Sequence, residues 1–331
     1  MIGAMNLTAP SDPRAWPSLS HQLALAERLY GEDGAGRIEN WLRTQIDRIG
    51  NAEFARLFSD HIDLPGIASL DYAHRYVRTG VGSLIGGIRF YGHDIERPFV
   101  EVIAHDFGPG SGDDATLDAE TLSALARVVA SEWSAFRPLH LRFRVPPGVA
   151  LLPNARVDTH VFVSRYGDMA PPDGRVRLVP FKDVHGLSAA DVAMGMVGER
   201  FGAMERDEPV LRRNVSPIEP DYLRELHEAG RLHAIMPSGA AAPVGLLAVA
   251  PGGVDWIEGD EVMEEIVGQK YAGHGYAASA QATFAARPET PPDELLIGTI
   301  DALNVASRRT AERAGRANVM DYLFMKLANV A

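Results

Sequence analysis

The chain has 331 residues, 46% of them apolar and 23% charged, which suits one large domain or two of ordinary size and excludes a disordered or fibrous protein. Its 44 acidic and 32 basic residues give a net charge of −12, which argues against a broad phosphate-binding surface and so against nucleic acid as a partner. Because the chain has no cysteine, disulfides, thiolate nucleophiles and cysteine-ligated metals are excluded.

The N-terminus has no basic segment followed by a continuous apolar one, and no later run approaches the roughly 18 apolar residues of a membrane-spanning helix. The sequence therefore predicts a cytoplasmic protein that has no membrane partner. Its histidines show no spacing typical of metal ligands, so no metal site is predicted.

The first half of the chain is predicted to begin with helices and continue with strands. From Gln22 to about Asp60 apolar residues recur at helical spacing, and glycines separate the segments. Two strand patterns follow, "GSLIGGIRFYG" and "PFVEVIAHDF". A helix is predicted in "LDAETLSALARVVASEWSAF", and two further strands in "LHLRFRV" and "THVFVSRY".

The stretch "GDMAPPDGR", residues 167–175, combines prolines, glycines and charges without apolar periodicity, which predicts a linker. Domains are therefore expected at residues 1–166 and 176–331. The second should open with the strand "VRLVPF" and a helical region over 185–230, which prolines interrupt. Its later elements are predicted as strands in "RLHAIMP", "APVGLLAVAP", "DEVMEEIV", "ELLIGTID" and "ANVMDYLFMKL", and as helices in "GYAASAQATFAAR" and "NVASRRTAERAG".

The two halves share one order of elements, which is a strand pair, a further strand, a loop with glycines, a helix and a strand. Residue identity between the halves is slight, so the pattern favours an internal repeat of fold rather than of sequence. The fold class is expected to be mixed α/β.

The loop "GQKYAGHG" joins a predicted strand to a helix that begins with small residues. Gly273 and Gly275 can adopt positive φ there and let a ligand approach the backbone closely. The first N–H groups of the helix carry partial positive charge, so the loop is suited to a phosphate group. A tight turn without a ligand is the alternative interpretation of these two glycines.

Residues 260–315 resemble the acyl-CoA-binding core of the GNAT superfamily of N-acetyltransferases. The phosphate loop of that family, Gln/Arg-x-x-Gly-x-Gly/Ala, is matched by "KYAGHG", which has Lys270 in its first position. The resemblance implies a central mixed sheet flanked by helices. The resemblance extends over the second half of the chain. The first half is expected to be a degenerate copy of the same fold, so that two such domains lie in tandem, and a helix-rich partner domain is the alternative. The other matching positions are Val267, Gln269, Asn304, Ser307 and Gly315.

The resemblance implies an N-acyltransferase in which an amine directly attacks the thioester of acetyl-CoA or another acyl-CoA. Backbone groups near Val267 would polarise the thioester carbonyl, and N–H groups from Gly273 to Ala277 would bind the pyrophosphate. Asn304 and Ser307 would face the pantetheine arm. The residues implied in cofactor binding are Val267, Gln269, Lys270, Gly273, His274, Gly275, Tyr276, Ala277, Asn304 and Ser307.

A base is needed to deprotonate the amine, and carboxylates of the strand "DEVMEEIV" are the candidates. Regular alternation places Glu261 and Glu265 on one face with Val267, and Glu264 on the other. Glu265 and Glu261 are favoured as the base. Solvent-facing charges of a strand without a catalytic role are the alternative.

Two positions depart from the pattern of the family. Many members have a tyrosine, which protonates the leaving thiolate, where this chain has Ala311. Arg316 stands where an aromatic residue usually follows the glycine that ends the helix. The proton donor is therefore expected to be Ser307, Tyr322 or water. Arg308, Arg309, Arg313 and Arg316 are expected on a solvated helix face, and contact of some of them with the 3′-phosphate of CoA is the alternative.

The acceptor is expected to be an amine of a small molecule or peptide, and the chain a monomer or homodimer. The alternative function is a non-catalytic acyl-CoA-binding sensor or structural module. Another phosphate ligand such as a nucleotide is disfavoured because no lysine-serine pair follows the glycines. In the first half, the loop "HDFGPGSGDD" has aspartates where a phosphate would lie, so no cofactor is predicted there.

Overall fold

The computed structural model describes residues 8–62, 64–108, 119–181 and 188–327. Over these ranges no helix is long and apolar enough to cross a membrane. The α-helices are α1 (Ser20–Tyr30), α2 (Gly34–Asp47), α3 (Ala52–Ser59), α4 (Ala119–Glu132), α5 (Ala189–Asp207), α6 (Pro209–Arg212), α7 (Pro220–Glu228), α8 (Tyr276–Ala285) and α9 (Val305–Arg313). The strands are β1 (Arg75–Arg78), β2 (Ser83–Phe90), β3 (Pro98–His105), β4 (His140–Val145), β5 (Ala155–Arg165), β6 (Val176–Pro180), β7 (Leu232–Pro237), β8 (Gly245–Val254), β9 (Ile257–Val267), β10 (Leu295–Asp301) and β11 (Ala317–Lys326).

The chain divides into two compact units. The first consists of Met1–Asp158 together with Asp321–Ala331, and the second is Thr159–Met320. The segment expected to be a linker, residues 167–175, lies inside the second unit. There the Gly167 N–H donates a hydrogen bond to the carbonyl oxygen of Pro292 (2.9 Å).

The first unit contains strands in the order β1-β2-β3-β4-β11. Neighbours are antiparallel except β3 and β4, which are parallel and are connected through α4. Strands β2 and β3 are buried at almost every position, as expected of strands covered on both faces. Helix α4 packs on this core through Leu122, Leu125 and Val129, whose spacing places them on one side of the helix.

The second unit contains strands in the order β6-β7-β8-β9-β10-β5. Neighbours are again antiparallel except β9 and β10, which are parallel and are connected through α8. Helices α5 and α7 cover one face of the sheet through Ala193, Val197 and Leu223. Helix α8 covers the other face, and small residues such as Ala278 and Ala280 let it lie close to the strands.

The two units repeat one arrangement, in which β1-β2-β3-α4-β4 corresponds to β7-β8-β9-α8-β10. Each unit takes a further antiparallel strand from the other half of the chain. Strand β11 pairs with β4 through residues 321–326, and β5 pairs with β10 through residues 159–165. The predicted mixed α/β class and the repeated order of strands are confirmed.

The predicted elements correspond to observed ones with small shifts at their ends. Strand β1 was not predicted, because four residues are too few to show alternation. The helical region over 185–230 consists of α5, α6 and α7, and Pro209 and Pro220 each occupy the first position of a helix. Residues 182–187 lie outside the described residues.

Candidate functional site

The loop between β9 and α8 is shaped by two glycines that have left-handed backbone. The φ angle is +81° at Gly273 and +77° at Gly275, a region that favours glycine. The first hydrogen bond that closes α8 runs from the Ser279 N–H to the Gly275 oxygen (3.0 Å). No side chain of the described residues caps this helix. The N–H groups ahead of Ser279 therefore have no partner inside the helix.

The loop backbone is open to solvent, since Ala272, Gly273 and His274 are all exposed. Nδ1 of His274 lies 3.1 Å from the carbonyl oxygens of both Tyr271 and Ala272. The imidazole also stacks on the Tyr276 ring, with 5.6 Å between the ring centroids. The histidine side chain therefore helps to hold the shape of the loop, while the backbone stays accessible.

Two cationic side chains flank the loop, and the sequence indicated one of them. Lys270 lies in a 3-10 turn with Gln269, and its Nζ is 4.9 Å from the centroid of the Tyr271 ring. Arg175, which was expected in the linker, donates from Nη1 to the His274 oxygen (3.0 Å). Its Nε is 3.2 Å from Oδ2 of Asp173. The fold therefore adds a guanidinium that sequence reasoning missed.

Strands β9 and β10 separate along their length. They pair at two positions, the second being Glu261 with Ile297, whereas β9 pairs with β8 as far as Val267. Within the described residues β9 has no pairing partner on its β10 side from Val262 onward. The two parallel strands therefore form a fork that opens toward the glycine loop, and unpaired backbone groups of β9 line it.

A β-bulge in β9 sets the direction of its glutamates. Ala248 of β8 pairs with Glu264, but the next residue, Val249, pairs with Val262. Met263 is therefore an extra residue in β9. Such an insertion bends a strand and increases its local twist. The bulge lies just beyond the last pair of the β9–β10 ladder, at the point where the two strands separate.

Glu261 and Glu264 face α5 and α7, whereas Glu265 faces α8. The cross-strand partners of the first two are buried alanines of the cluster that includes α5 and α7. The partner of Glu265 is Leu247, which belongs to the cluster formed with α8. The expectation that Glu261 and Glu265 share a face is therefore wrong, because the bulge shifts the alternation by one residue.

Backbone amides hold the two glutamates that face α5 and α7. Oε2 of Glu264 accepts a hydrogen bond from the Ile218 N–H (3.2 Å). Burial raises the pKa of Glu264, while the N–H groups of Ile218 and Glu265 oppose that rise. Burial likewise raises the pKa of Glu261 against the N–H of Gly253. Both carboxyl groups are therefore less acidic than in water.

Glu265 belongs to a chain of three side chains, from β9, from α8 and from the residue that precedes β11. Nε2 of Gln281 donates to Oε2 of Glu265 (2.8 Å), and Nε of Arg316 donates to Oε1 of Gln281 (3.0 Å). Oε1 of Glu265 is shielded from solvent and has no hydrogen-bond partner among the described residues. Burial raises the pKa of Glu265 to about 7, against the Arg316 charge and the Gln281 hydrogen bond.

Arg316 is buried, with 4% of its surface exposed, so the expectation that it lies on a solvated helix face is wrong. Gly315 ends α9 with φ of +92°, which turns the chain back toward the sheet. A Cβ added at Gly298 of β10 would lie 3.0 Å from Nη1 of Arg316. Burial lowers the pKa of Arg316 to about 10, so the guanidinium stays charged at neutral pH.

Asn304 caps α9 as predicted. Its Oδ1 accepts a hydrogen bond from the Ser307 N–H (3.0 Å), and both residues are half-buried. Gly315 follows the helix end, which confirms the predicted termination. Because the oxygen of Asn304 is used in the cap, its amide NH₂ is the group left for a ligand.

Ala311 is fully buried against Phe162 and Ile300, so the position of the missing tyrosine belongs to the hydrophobic core. Tyr322 belongs to the first unit, where it is buried and the Arg142 guanidinium lies 4.0 Å from its ring centroid. Of the proton donors that the sequence suggested, Ser307 and water are those that the second unit can supply.

The first unit has a comparable fork with a different content. Strands β3 and β4 pair as far as Glu101 with Arg142. Beyond that pair Nη1 of Arg144 donates to the Val102 oxygen (3.3 Å), and Nη2 lies 3.0 Å from Oε1 of Glu101. A buried guanidinium therefore occupies the region where β3 and β4 separate. Most of the glycine-containing loop predicted after β3 lies outside the described residues.

The cofactor residues predicted from the sequence follow one another along the end of β9, the loop and the first turn of α8. Asn304 and Ser307 begin α9, directly after β10. Sequence reasoning missed Arg175 and Gln281. Gln281 could have been identified from the sequence, since it is the one amide side chain in a helix of small and apolar residues, "YAASAQATFA".

No family model matches the sequence, and no curated protein matches it. Solved structures that the chain is similar to include a GNAT-family acetyltransferase from Colwellia psychrerythraea (10% identity, TM-score 0.42), with 84% of this chain and 96% of that chain covered. A GCN5-related N-acetyltransferase from Sphaerobacter thermophilus shows 11% identity and a TM-score of 0.43, covering 95% and 93%. A tandem GNAT protein from the clavulanic acid biosynthesis pathway shows 14% identity and a TM-score of 0.36, covering 84% and 88%. At these identities and TM-scores the similarities do not identify an activity for this chain.

Proposed function

We propose that the chain is an acyl-CoA-dependent N-acyltransferase of the GNAT superfamily whose second unit binds acetyl-CoA or another acyl-CoA. The observation that carries this proposal is the β9–β10 fork, which opens onto a glycine loop at the uncapped N-terminus of α8. Unpaired backbone groups along a strand can hydrogen-bond the amides of a pantetheine arm. Outward N–H groups at a helix N-terminus favour a pyrophosphate.

The cofactor would be held at both ends of the fork. Loop N–H groups from Gly273 to Ala277 would bind the pyrophosphate, and the charges of Lys270 and Arg175 lie beside them. Val267 ends the strand that lines the fork. Gln269, His274 and Tyr276 would contribute through the loop, and the Asn304 amide and Ser307 would lie toward the pantetheine arm.

The acyl-CoA supplies a thioester carbonyl that an amine can attack. In this reaction the C–N bond forms, the C–S bond breaks, and the proton of the attacking amine passes to a base while the thiolate takes one up. Backbone N–H groups of β9 beyond the bulge would stabilise the negative charge that develops on the carbonyl oxygen, a contribution of about 3 kcal/mol in other acyl transfers. Ser307 or water would protonate the thiolate.

Glu265 is proposed as the base. Gln281 holds one of its carboxylate oxygens. The other is shielded from solvent and has no hydrogen-bond partner among the described residues, so it would take up the amine proton through a water molecule. A base that a neighbouring group orients, with a pKa near the working pH, suits general base catalysis. Glu264 is the second candidate, since its carboxylate contacts the Glu265 N–H beside the fork. Glu261 is the third.

The first unit is proposed to be a copy that has lost cofactor binding, because Arg144 donates to the Val102 oxygen where β3 and β4 separate. The acceptor is proposed to be an amine of a small molecule or peptide. A non-catalytic acyl-CoA-binding module is the second candidate function, and Ala311 favours it, since an alanine cannot supply the missing proton.

The loop assignment is tested by placing a negative charge in the proposed phosphate site. Gly273 has φ of +81° and no atom within 4 Å of an added Cβ, so Asp and Asn both fit there. We expect Gly273→Asp to weaken CoA binding about 100-fold, and the isosteric Gly273→Asn to weaken it much less, because the carboxylate repels the pyrophosphate. Isothermal titration calorimetry with CoA measures both.

Gly239 provides the matched control, since it has φ of +80° and equally open surroundings in the β7–β8 turn. Gly239→Asp should bind CoA as the unsubstituted chain does. Equal affinities of the Gly273→Asp and Gly273→Asn variants would contradict a phosphate site in the loop.

Catalysis itself is tested by thiol release from acetyl-CoA with a panel of primary amines. If the chain binds CoA but none of the amines leads to thiol release, the result favours the non-catalytic acyl-CoA-binding module.

A further inference from the structure

Three elements of the second unit meet at one amide. Gln281 of α8 donates to Glu265 of β9 and accepts from Arg316, the residue that precedes β11. Gln281 is 1% exposed, and the two hydrogen bonds determine which end of its amide is oxygen and which is nitrogen. The bridge therefore joins the carboxylate to the guanidinium in a fixed orientation.

The placement of Arg316 depends on two glycines. A Cβ at Gly315 would lie 2.8 Å from the Ala170 nitrogen, and the φ angle there is left-handed. A Cβ at Gly298 would press on Nη1 of Arg316 at 3.0 Å. Nη1 has no hydrogen-bond partner among the described residues. A buried guanidinium is unfavourable unless it is compensated, so this arrangement costs stability.

The charges around Glu265 act in opposite directions. Burial disfavours the ionised form of Glu265 most strongly, Arg316 and the Gln281 hydrogen bond favour it, and Glu264 on the same strand adds to the effect of burial. Tyr166 is the further titratable group that interacts with Arg316. Within the described residues Arg316 is therefore the charge that opposes burial at Glu265.

We infer that Gln281 and Arg316 are positioning residues for the proposed base: Gln281 fixes the orientation of the Glu265 carboxylate through one of its oxygens, and Arg316 holds Gln281 and places a positive charge behind it. This inference rests on the proposed function for its catalytic meaning. The charge and the orientation are separate contributions, so different substitutions remove them one at a time.

Arg316→Met removes the charge and Arg316→Lys keeps it while losing the Nε–H that reaches Gln281. The pH dependence of kcat/KM in the thiol-release assay reports on both. The full chain should show an acid limb with a midpoint near the Glu265 pKa of about 7. We expect Arg316→Met to move that midpoint up by about one pH unit and to lower the rate at pH 7 about fivefold.

Arg316→Lys should leave the midpoint within about half a unit of the original and lower kcat, because orientation is lost and charge is kept. In both variants the KM for acetyl-CoA should stay unchanged. Arg206→Met, at an exposed arginine of α5, is the control and should change neither quantity. A change confined to the KM for acetyl-CoA, or an unmoved midpoint in Arg316→Met, would overturn the inference.

A direct titration separates this inference from the proposed function. Carbon-13 NMR of the glutamate carboxyl groups in the full chain, with the Glu265 signal assigned by its loss in Glu265→Gln, follows the carboxylate without turnover. An upward shift of its titration in Arg316→Met supports the inference even if no amine is acylated, whereas the absence of a shift overturns it. If Arg316→Met does not fold, Gln281→Leu should also raise the Glu265 midpoint, since it removes the hydrogen bond that favours the ionised form.

Discussion

Glu265 stands beside Glu264 in β9, yet the two carboxylates differ in their surroundings. Glu264 faces α5 and α7 and accepts a hydrogen bond from a backbone N–H. Glu265 faces α8, where Gln281 donates to one oxygen and the charge of Arg316 lies beyond it. The residue types are identical, so their different surroundings come from the fold. Burial raises the pKa of both carboxyl groups, and the rise is opposed by backbone N–H groups at Glu264 and by Arg316 and Gln281 at Glu265.

Glu265 should make the stability of the chain depend on pH. Folding raises its pKa from 4.5 to about 7, so the folded state binds this proton more tightly than the unfolded state does. This tighter binding of the proton stabilises the folded state by about 3 kcal/mol. The stabilisation is complete below about pH 4.5 and is lost as the pH rises through 7. We expect the free energy of unfolding of Glu265→Gln to fall less between about pH 5 and about pH 8 than that of the unsubstituted chain. Urea unfolding at the two pH values measures this.

Glu258→Gln is the control, because Glu258 is an exposed glutamate of the same strand. Its free energy of unfolding should change with pH as that of the unsubstituted chain does. A Glu265→Gln variant that shows the same pH dependence as the unsubstituted chain would contradict the raised pKa.

Strand β9 carries the proposed chemistry because it is irregular. Its extra residue, Met263, lies where the ladder to β10 ends, and the glycine loop follows its last residue. A bulge adds twist and bends the strand, which accounts for the separation of the two parallel strands. The fork is therefore a property of the element and not of any single side chain.

Deleting Met263 tests the role of the bulge. The deletion leaves Val262 opposite Val249 and Glu264 opposite Ala248, so every remaining side chain keeps its face. We expect the straightened strand to continue alongside β10, close the fork and weaken CoA binding about tenfold or more, with the fold retained by circular dichroism.

Met263→Ala is the matched variant, because it removes the same side chain and keeps the extra residue in the strand. It should bind CoA within about twofold of the unsubstituted chain, apart from a modest loss of stability from the truncated side chain. Calorimetry with CoA measures both variants. If the deletion variant binds CoA as tightly as the unsubstituted chain, the bulge is not required for cofactor binding in the fork.

At the scale of the whole molecule, each unit is completed by a strand from the other half of the chain. Strand β5 pairs with β10 along seven positions, Thr159 to Arg165, and Phe162 packs against Ile300 and Ala311. Residues 321–326 of β11 pair with β4, and Leu323 and Met325 join the core of the first unit. The compact units are therefore not the two halves of the sequence.

Two fragments distinguish the compact units from the domains expected from the sequence. Residues 159–320 contain the part of β5 that pairs with β10, whereas residues 176–331 lack it and expose the β10 edge and Ile300. Burial of side chains such as Phe162 and Tyr166 contributes about 2 kcal/mol each, so we expect the fragment 159–320 to unfold about 10 °C higher than the fragment 176–331. Differential scanning calorimetry measures this, and equal melting temperatures would contradict the assignment of β5 to the second unit.

The sequence by itself determined the mixed α/β class, most strands and helices, the cap at Asn304 and the glycine loop with its resemblance to the GNAT superfamily. These features depend on local periodicity and on the special backbone of glycine, which neighbouring residues set. Only the tertiary structure decided the faces of Glu261, Glu264 and Glu265, since one extra residue in β9 inverts every later position and leaves no trace in composition. The tertiary structure also decided that Arg316 is buried beside Gln281, because contacts between residues distant along the chain arise only when the elements pack.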